Sequence, residues 1–388
     1  MMGASSIGIA GCGIGGLAVA CALAKQGHSI TLFDKFDTPR PVGSGLVIQP
    51  VGQTCLGRIG VLKAALERGR AIYQLRGHES RTGRTVLRAN YGAWGGAAFG
   101  LAIHRADLFE CLYDKATRSG LTIVPSTEIT ATVLEKDKRI LCDQHGQSYG
   151  PFDLVIDASG AKSALSPIRT QALPYGALWG TVEWPGDTLL RPDCLTQCYR
   201  GAHHMLGVLP LHDDGRTAIF WSEPTDQLEA WFSGDLDAWK TAATKLWPDF
   251  APFIMQIEAH EAMTVARYRH GTLAQPWGER IAYIGDAAHQ ASPQLGQGAN
   301  MALLDAAALA DAIRNGPIAL APQAYARKRR LHMQFYQAVS RVFTPFYQSA
   351  NPTFPWVRNN LMHPVSQIWP ANRMLTTLIS GDLVPTGV

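Results

Sequence analysis

A glycine cluster near the start of the chain has the spacing of a phosphate-binding turn. Residues 11–16 read Gly-Cys-Gly-Ile-Gly-Gly, a GxGxxG pattern between a short apolar strand and a helix of small residues. Gly11 permits a tight turn, Gly13 lets the backbone approach a pyrophosphate, and Gly16 lets helix and strand pack closely. Free N–H groups at the helix start attract the phosphates. We therefore predict dinucleotide binding, rather than a simple packing turn, by Gly11, Gly13, Ile14, Gly15 and Gly16.

An acidic residue stands where the sugar of such a nucleotide needs one. Asp34 lies 18 residues after Gly16, at the end of the second predicted strand, and Lys35 follows it. A carboxylate in this place accepts hydrogen bonds from ribose hydroxyls. Asp34 and Lys35 therefore join the predicted cofactor site.

A second cluster distinguishes a flavin from a nicotinamide cofactor. It comprises Gly-Asp-Ala-Ala-His at 285–289, Pro293, Gly-Gln-Gly-Ala-Asn at 296–300, and Asp305. An acid after a strand can bind another sugar hydroxyl, and N–H groups at a glycine-rich helix start can receive the N1–C2=O edge of a flavin. The alternative is a helix with a glycine turn at its start. The predicted cofactor residues here are Asp286, Pro293, Gly296, Gln297, Gly298, Ala299 and Asn300.

The elements around these clusters predict an α/β protein. Strands over 6–10 and 28–33 flank a helix over 17–26, and later strands over 153–156 and 280–284 precede a helix over 299–313. Turn dipeptides, aromatic residues and alternating strands predict a sheet-rich insertion. The predicted domains are a discontinuous cofactor-binding domain at 1–72, 99–172 and 264–345, a substrate domain at 73–98 and 173–263, and a helical tail at 346–388.

Composition excludes several classes of protein. The 388 residues are 46% hydrophobic and 17% charged, with a net charge of +4, which argues against a disordered chain or a nucleic-acid binder. Seven scattered cysteines indicate reduced thiols, and the spacing of Cys194, Cys198, His203 and His204 matches no familiar zinc site, so we predict no metal. The uncharged stretch 7–24 fits neither a signal peptide nor a membrane span. We expect a cytoplasmic monomer or homodimer with no integral membrane segment.

Taken together, these motifs resemble the class A flavoprotein monooxygenases, the para-hydroxybenzoate hydroxylase-like family. The resemblance also includes Gly-Ser-Gly-Leu at 43–46 and Ile-His-Arg-Ala-Asp-Leu at 103–108. It implies a Rossmann-like, glutathione-reductase-like FAD-binding domain with an inserted sheet-rich substrate domain and a helical C-terminal tail. It further implies that Arg105 contacts FAD near the pyrophosphate or ribityl chain, that Ser44 and Gly45 lie nearby, and that Ile129 touches the adenine side.

The resemblance implies hydroxylation of a small aromatic or otherwise electron-rich substrate. NADH or NADPH would reduce the flavin, and a C4a-hydroperoxide formed with O₂ would transfer one oxygen. No catalytic acid or base can be named, and His204, Leu209, Trp221 and Pro293 are the candidates for lining the substrate pocket.

One departure from the family pattern leaves alternatives open. Ser159-Gly160 stands where the family usually has Asp-Gly, a segment associated with FAD and with transient docking of NAD(P)H. The alternatives are a flavin oxidoreductase that does not hydroxylate (halogenase-like, reductase or dehydrogenase) and is not reduced directly by NAD(P)H, and a non-catalytic FAD-binding protein. An enzyme acting on a membrane-bound quinone precursor is also compatible with the apolar tail.

Overall fold

Two large sheets, two three-stranded sheets and a set of helices make up the described part of the chain. The computed structural model describes residues 4–38, 44–92 and 98–388. Its strands are β1 (Ser6–Ala10), β2 (Ser29–Phe33), β3 (Gly45–Ile48), β4 (Gly69–Ile72), β5 (Gln74–Glu79), β6 (Thr85–Asn90), β7 (Gly100–His104), β8 (Thr122–Val124), β9 (Ile129–Glu135), β10 (Lys138–Asp143), β11 (Ser148–Phe152), β12 (Leu154–Asp157), β13 (Gln171–Glu183), β14 (Cys194–Arg200), β15 (His204–Pro210), β16 (Arg216–Pro224), β17 (Met263–Thr272), β18 (Trp277–Gly278), β19 (Ile281–Tyr283) and β20 (His289–Gln290). The three-stranded sheets have the orders β11-β10-β9 and β3-β7-β4.

The helices lie mainly at the two ends of the chain and on one face of the second sheet. They are α1 (Ile14–Ala24), α2 (Pro50–Ile59), α3 (Leu62–Arg68), α4 (Arg105–Arg118), α5 (Thr225–Ala230), α6 (Leu236–Leu246), α7 (Ala251–Ile254), α8 (Gly298–Asn315), α9 (Ala321–Tyr347), α10 (Thr353–Val357), α11 (His363–Ser366) and α12 (Ala371–Ser380). A π-helical turn, Arg358–Met362, joins α10 to α11.

The first sheet is largely parallel, with the strand order β18-β19-β12-β1-β2-β8. Its central strands are buried on both faces, as the fully buried Ile7 and Ile9 of β1 illustrate. Helices α1 and α8 pack on each other against this sheet. The carboxyl ends of β1, β2, β12 and β19 meet at one edge, which is where ligands of open α/β sheets bind.

The second sheet has the order β20-β17-β13-β16-β15-β14-β5-β6 and is antiparallel except between β14 and β5. It therefore unites β5 and β6 with strands that follow about a hundred residues later. Helices α5, α6 and α7 cover one face, where Trp231, Trp247 and Phe250 form a core with residues of the sheet. The other face of this sheet lies opposite α9 and α12.

The observed element boundaries differ from the predicted ones by a few residues. α1 begins at Ile14 rather than at 17, because the N–H of Leu17 already donates to the carbonyl of Gly13. α9 runs to Tyr347 through Pro345, so the expected tail boundary at 346 falls inside its last turn. No helix in residues 4–38, 44–92 or 98–388 combines the length and the apolar character needed to cross a bilayer.

Candidate active site

The glycine turn between β1 and α1 leaves backbone donors open. Gly13 is the N-cap of α1, its missing side chain faces open space, and no described side chain caps the helix start. A Cβ on Gly11, whose φ is +102°, would lie 2.6 Å from the Cα of Ser159. A Cβ on Gly16 would collide with the carbonyl of Gly11. The turn thus depends on glycine for packing, and it presents unpaired N–H groups to the cavity described below.

Asp34 holds this turn in place from the end of β2. Its Oδ2 accepts a hydrogen bond from the N–H of Cys12 at 2.6 Å, and its Oδ1 accepts one from the N–H of Phe36 at 3.1 Å. Lys35 lies on the surface, 3.9 Å from Glu128. Ile129 is buried in a cluster with Phe33 and does not line the cavity.

Arg105 opens α4 and lines the cavity with an exposed guanidinium. Its backbone N–H donates to the carbonyl of Ser44 at 3.0 Å, and Gly45 pairs with His104 across β3 and β7. Gly43, part of the same motif, falls outside the described residues. Within the described chain the guanidinium has no hydrogen-bond or ion-pair partner, which leaves a cation available for a ligand.

Asp286 supplies an unpaired carboxylate in the same cavity. It lies in the turn Gly285–Ala287 after β19, and its side-chain oxygens accept no hydrogen bond from the described residues. The carboxylate is open to the cavity and enclosed by protein on its other sides. This enclosure raises the pKa of Asp286, and the nearby His289 and Arg105 oppose the rise.

The turn after β20 presents a second set of backbone donors. Residues Pro293–Leu295 form a 3-10 turn that ends at Gly296, whose φ is +60°, and α8 begins two residues later. No described side chain caps α8, so the N–H groups of Gly298, Ala299 and Asn300 have no partner within the helix. Gln297 is fixed beside them, because its Nε2 donates to the carbonyl of Ile379 at 2.8 Å.

The side chain of Asn300 is used within the protein. The side chain is fully buried, and its Oδ1 accepts from the N–H of Gln49 at 2.8 Å. Its Nδ2 donates to the carbonyls of Val47 and Gly296. The amide therefore ties the Gly296 turn to β3, and only the backbone of Asn300 remains for a ligand.

A buried ion network supports the Asp286 turn from behind. Asp305 of α8 accepts from the N–H of Gly285 at 3.0 Å, lies 2.6 Å from Nε2 of His289, and accepts from Nε of Arg329 at 2.9 Å. Burial alone would raise the pKa of Asp305, but His289 and Arg329 lower it to about 2. Asp305 thus carries a charge that positions the turn.

One continuous cavity connects these features to the second sheet. Its volume is about 480 Å³, within the usual range of small-molecule sites. One end is lined by the glycine turn, Arg105, Asp286 and the segment 291–299. The other end lies between the second sheet and the helices α9 and α12, and its sheet wall includes Leu75, Leu87, Ala177, Trp179, Leu195, Gln197, Tyr199, Met205, Leu209, Phe220 and Tyr268.

The expected substrate residues divide between the two faces of this sheet. Leu209 and Pro293 line the cavity. His204 and Trp221 do not, which corrects the expectation for both. Side chains alternate along a strand, so Trp221 lies opposite Phe220 and packs in the core beneath α5–α7, whereas His204 borders a separate pocket with Arg200 and Gln227.

Sequence analysis missed the cavity residues of the C-terminal helices. Tyr336, Gln337, Ser340, Phe343 and Tyr347 of α9 line the cavity, as do Leu375, Leu378 and Ile379 of α12. The only signal available was the helical spacing of polar residues within a buried face of α9, which resembles ordinary core packing.

Ser159 and Gly160 follow β12 at the same edge. Asp157, fully buried, accepts from the N–H of Ser159 at 3.0 Å and from the hydroxyls of Ser159 and Ser163 at 2.6 Å each. Gly160 lines the cavity. Asp157 therefore fixes the local turn.

Comparisons with known proteins identify the family of this chain. A family model described as an FAD binding domain matches residues 4–316. A 3-hydroxybenzoate 6-hydroxylase of Klebsiella oxytoca is 27% identical over 322 residues, 79% of each chain. An FAD-dependent urate hydroxylase of Klebsiella pneumoniae subsp. pneumoniae is 24% identical over 406 residues, covering 97% of this chain and 99% of that protein.

Solved structures show the same fold. A tetrameric form of 2-methyl-3-hydroxypyridine-5-carboxylic acid oxygenase superposes with a TM-score of 0.79 at 20% identity, over 96% of this chain and 97% of that one. A Klebsiella pneumoniae HpxO variant complexed with FAD gives a TM-score of 0.80 at 21% identity, over 98% and 100% of the two chains.

The chain belongs to the FAD binding domain family, and within it to the class A flavoprotein monooxygenases. It is an FAD-dependent monooxygenase. The expected fold class, family, cofactor and enzyme class are confirmed, and the non-hydroxylating and non-catalytic alternatives are not favoured.

The residues of the cavity fit FAD. Unpaired N–H groups and the Arg105 cation suit a pyrophosphate, and the unpaired Asp286 carboxylate suits sugar or ribityl hydroxyls. The uncapped start of α8 suits the electron-rich edge of the ring system. These groups lie along one cavity, as an extended cofactor requires.

Proposed function

We propose that this protein hydroxylates a small aromatic molecule with O₂ and NAD(P)H. The balanced reaction converts an aromatic C–H, O₂, NAD(P)H and a proton into the C–OH product, water and NAD(P)⁺. The observation that carries this proposal is the single cavity of about 480 Å³ that runs from the FAD-compatible turns to an aromatic-lined sheet face. Several relatives bear the names of aromatic hydroxylases.

Each described group has a defined task in this proposal. Gly13, Ile14 and Gly15 donate backbone N–H groups to the pyrophosphate, Arg105 neutralises its charge, and Asp34 and Asp286 accept from hydroxyls. Bound FAD supplies hydride acceptance and activation of O₂. The start of α8 stabilises negative charge on the ring edge by its dipole and free N–H groups.

The walls beyond the cofactor exclude water from the reacting atoms. Leu209, Met205 and Phe220 come from the sheet, Pro293 from the turn before α8, and Leu378 from α12. Exclusion of water protects a reactive oxygen-transferring species from wasteful breakdown. These residues are our proposed substrate contacts.

The reductant is proposed to be NADH or NADPH, which visits the cavity transiently. Ser159-Gly160 replaces the family's usual Asp-Gly in the cavity edge, but Gly160 still lines the cavity with a positive φ of 84°. The backbone shape of the docking segment is thus compatible with a visiting nicotinamide.

Anaerobic reduction tests the proposal directly. The purified holoenzyme is mixed with NADH or NADPH, with and without a panel of phenols, and the flavin absorbance is followed. We expect bleaching that a phenol accelerates, and hydroxylated product after O₂ is admitted. A yellow protein that neither nicotinamide reduces would contradict direct reduction and would indicate a partner reductase.

A further inference from the structure

Glutamine amides supply much of the polar surface in the substrate half of the cavity. We define this half as the part between the second sheet and the helices α9 and α12. Its tyrosine hydroxyls are largely occupied, since Tyr199 donates to Gln197, Tyr268 accepts from Trp179 Nε1 at 2.9 Å, and Tyr336 donates to the carbonyl of Leu378 at 2.9 Å. The glutamines that line the whole cavity are Gln49, Gln197, Gln294, Gln297, Gln337 and Gln348.

Gln348 is fixed with one amide atom unpaired. It caps α9, is only 4% exposed, and its Nε2 donates to Oγ of Ser222 at 2.8 Å. Its Oε1 is buried and has no partner in the described chain. Leaving such an atom unsatisfied costs about 1–3 kcal/mol, so a ligand group that pairs with it gains affinity.

Gln337 lies three turns earlier, within α9, and likewise has an amide oxygen that is unpaired in the described chain. It is 7% exposed, lines the cavity, and its buried Oε1 also lacks a partner among the described residues. Two unpaired amide oxygens on one wall of the cavity indicate a ligand that offers uncharged hydrogen-bond donors.

Formal charge lies elsewhere in the cavity. Among the lining side chains of the described chain, the charged or ion-paired ones are Arg105, Asp286 and His289, and all three lie at the cofactor end. Arg358 is close, with its guanidinium 4.6 Å from the ring centre of Tyr199 and 5.3 Å from that of Tyr347. It stands behind these rings and donates to the carbonyls of Phe346 and Gly201.

A carboxylate in the substrate half would meet apolar, aromatic and amide groups. Burial of an ionised group without a paired charge costs far more than burial of a hydroxyl that finds a hydrogen bond. Amides can satisfy a hydroxyl, carbonyl or N–H group fully, but they do not neutralise an anion.

We propose that the substrate is an uncharged aromatic molecule whose hydroxyl or N–H groups donate to the unpaired amide oxygens of Gln348 or Gln337. This inference rests on the proposed hydroxylase function and specifies its substrate class. It separates this protein from relatives whose names specify a carboxylated substrate, such as 3-hydroxybenzoate.

The test compares ligands of the same size that differ in charge. Holoenzyme is titrated with 2-naphthol, 3-hydroxy-2-naphthoate and the methyl ester of that acid, and the perturbation of the flavin absorbance gives each dissociation constant. We expect 2-naphthol and the ester to bind at least tenfold more tightly than the acid. Tighter or equal binding of the acid, or no binding of either neutral probe, would overturn the proposal.

Variants assign the effect to the amides. Because 2-naphthol carries a single hydroxyl, whichever of Gln348→Leu and Gln337→Leu removes the amide that this hydroxyl reaches should weaken its binding about tenfold at unchanged FAD content. Gln337→Leu removes no hydrogen bond described within the chain, and it serves if loss of the Ser222 contact unfolds the Gln348 variant. Gln367→Leu, at an exposed glutamine, is the control and should bind as the parent does. Unchanged binding in both cavity variants would refute the assignment.

A separate measurement distinguishes failure of this substrate class from failure of the proposed hydroxylase function on which it rests. Reduction of the flavin by NAD(P)H and its reoxidation by O₂, with release of H₂O₂, are measured on the same holoenzyme without ligand. If these steps proceed while the ligand preference fails, only the substrate class is wrong. If reduction itself fails, the proposed function is contradicted instead.

Discussion

The four aspartates near the edge of the first sheet differ in their hydrogen-bond and ion-pair partners. Asp34 and Asp157 accept hydrogen bonds from neighbouring backbone or serine groups. Asp305 is paired with Arg329 and His289. Asp286 alone of these four has an unpaired carboxylate that faces the cavity. A carboxylate that is unpaired and open to the cavity is best explained by a ligand with hydroxyl groups.

The residue-scale prediction concerns retention of FAD. Asp286→Asn keeps the size of the side chain but removes a charged acceptor, so we expect the dissociation constant for FAD to rise at least tenfold, or about 1.4 kcal/mol. The flavin-to-protein absorbance ratio after gel filtration and a titration of apoprotein measure it. Asp237→Asn, at an exposed carboxylate 3.9 Å from Lys240, is the control. A variant that purifies with full FAD would remove Asp286 from the site.

At the scale of elements, the sequence predicts the ligand-binding turns, but it does not predict which face of the second sheet lines the cavity. The turns after β1 and β19 follow from local glycine and aspartate spacing, which dictates backbone shape directly. β15 is buried along nearly its whole length, so no polar alternation indicates which side faces a ligand. Trp221 and His204 were misplaced for this reason, since only the packing of α5–α7 decides which face of the sheet is core.

The helices α9 and α12 show the same limit in another form. Gln337 and Ser340 are buried polar residues on a long amphipathic helix, and a sequence cannot tell whether they face a core or a cavity. The contact with α12 depends on a chain reversal near the C-terminus, where Tyr336 and Gln297 bond to carbonyls of α12. Such long-range closure leaves no local pattern.

An element-scale prediction concerns how α9 holds the C-terminal segment. His332 is fully buried, and its Nε2 donates to the carbonyl of Gly381 at 2.9 Å, which leaves Nδ1 unprotonated and without a partner in the described chain. Burial is the main cause that lowers the pKa of His332 to about 4, and repulsion from Arg329 and His289 adds to it. The hydrogen bond to Gly381 and the charge of Asp305 act in the opposite direction. In the unfolded chain the pKa is about 6.5.

Because the folded state disfavours the protonated ring, the unfolded chain binds more protons between these two pKa values. The contribution of His332 to stability is therefore complete above about pH 6.5 and is lost as pH falls through about 4. Between pH 7 and pH 4.5, urea unfolding at saturating FAD should show a decline in the free energy of unfolding that is smaller in His332→Gln than in the parent by on the order of 2 kcal/mol. His145→Gln, at an exposed histidine, should retain the parent's decline. Equal pH dependence of parent and His332→Gln would contradict this account.

At the scale of the whole molecule, distant parts of the chain enclose a single cavity. The cofactor end comes from turns of the first sheet, one wall comes from the second sheet, and the opposite wall comes from α9 and α12 near the C-terminus. α12 is joined to the α8 turn through Gln297 and Ile379. Helix α12 therefore lines the cavity beside the turn before α8, although it supplies none of the proposed FAD contacts.

This arrangement predicts that α12 controls solvent access rather than cofactor binding. Leu375→Ala removes apolar surface from the cavity wall, whereas Met374→Ala changes a neighbour on the same helix that is 54% exposed to solvent. We expect Leu375→Ala to retain FAD but to raise iodide quenching of flavin fluorescence, and to increase H₂O₂ release per NAD(P)H consumed, because water enters the cavity. Met374→Ala should match the parent in both measurements. A different result would contradict this prediction: Leu375→Ala loses FAD, and the FAD that stays bound is quenched by iodide as in the parent. In that case α12 supports the cofactor directly and does not control solvent access.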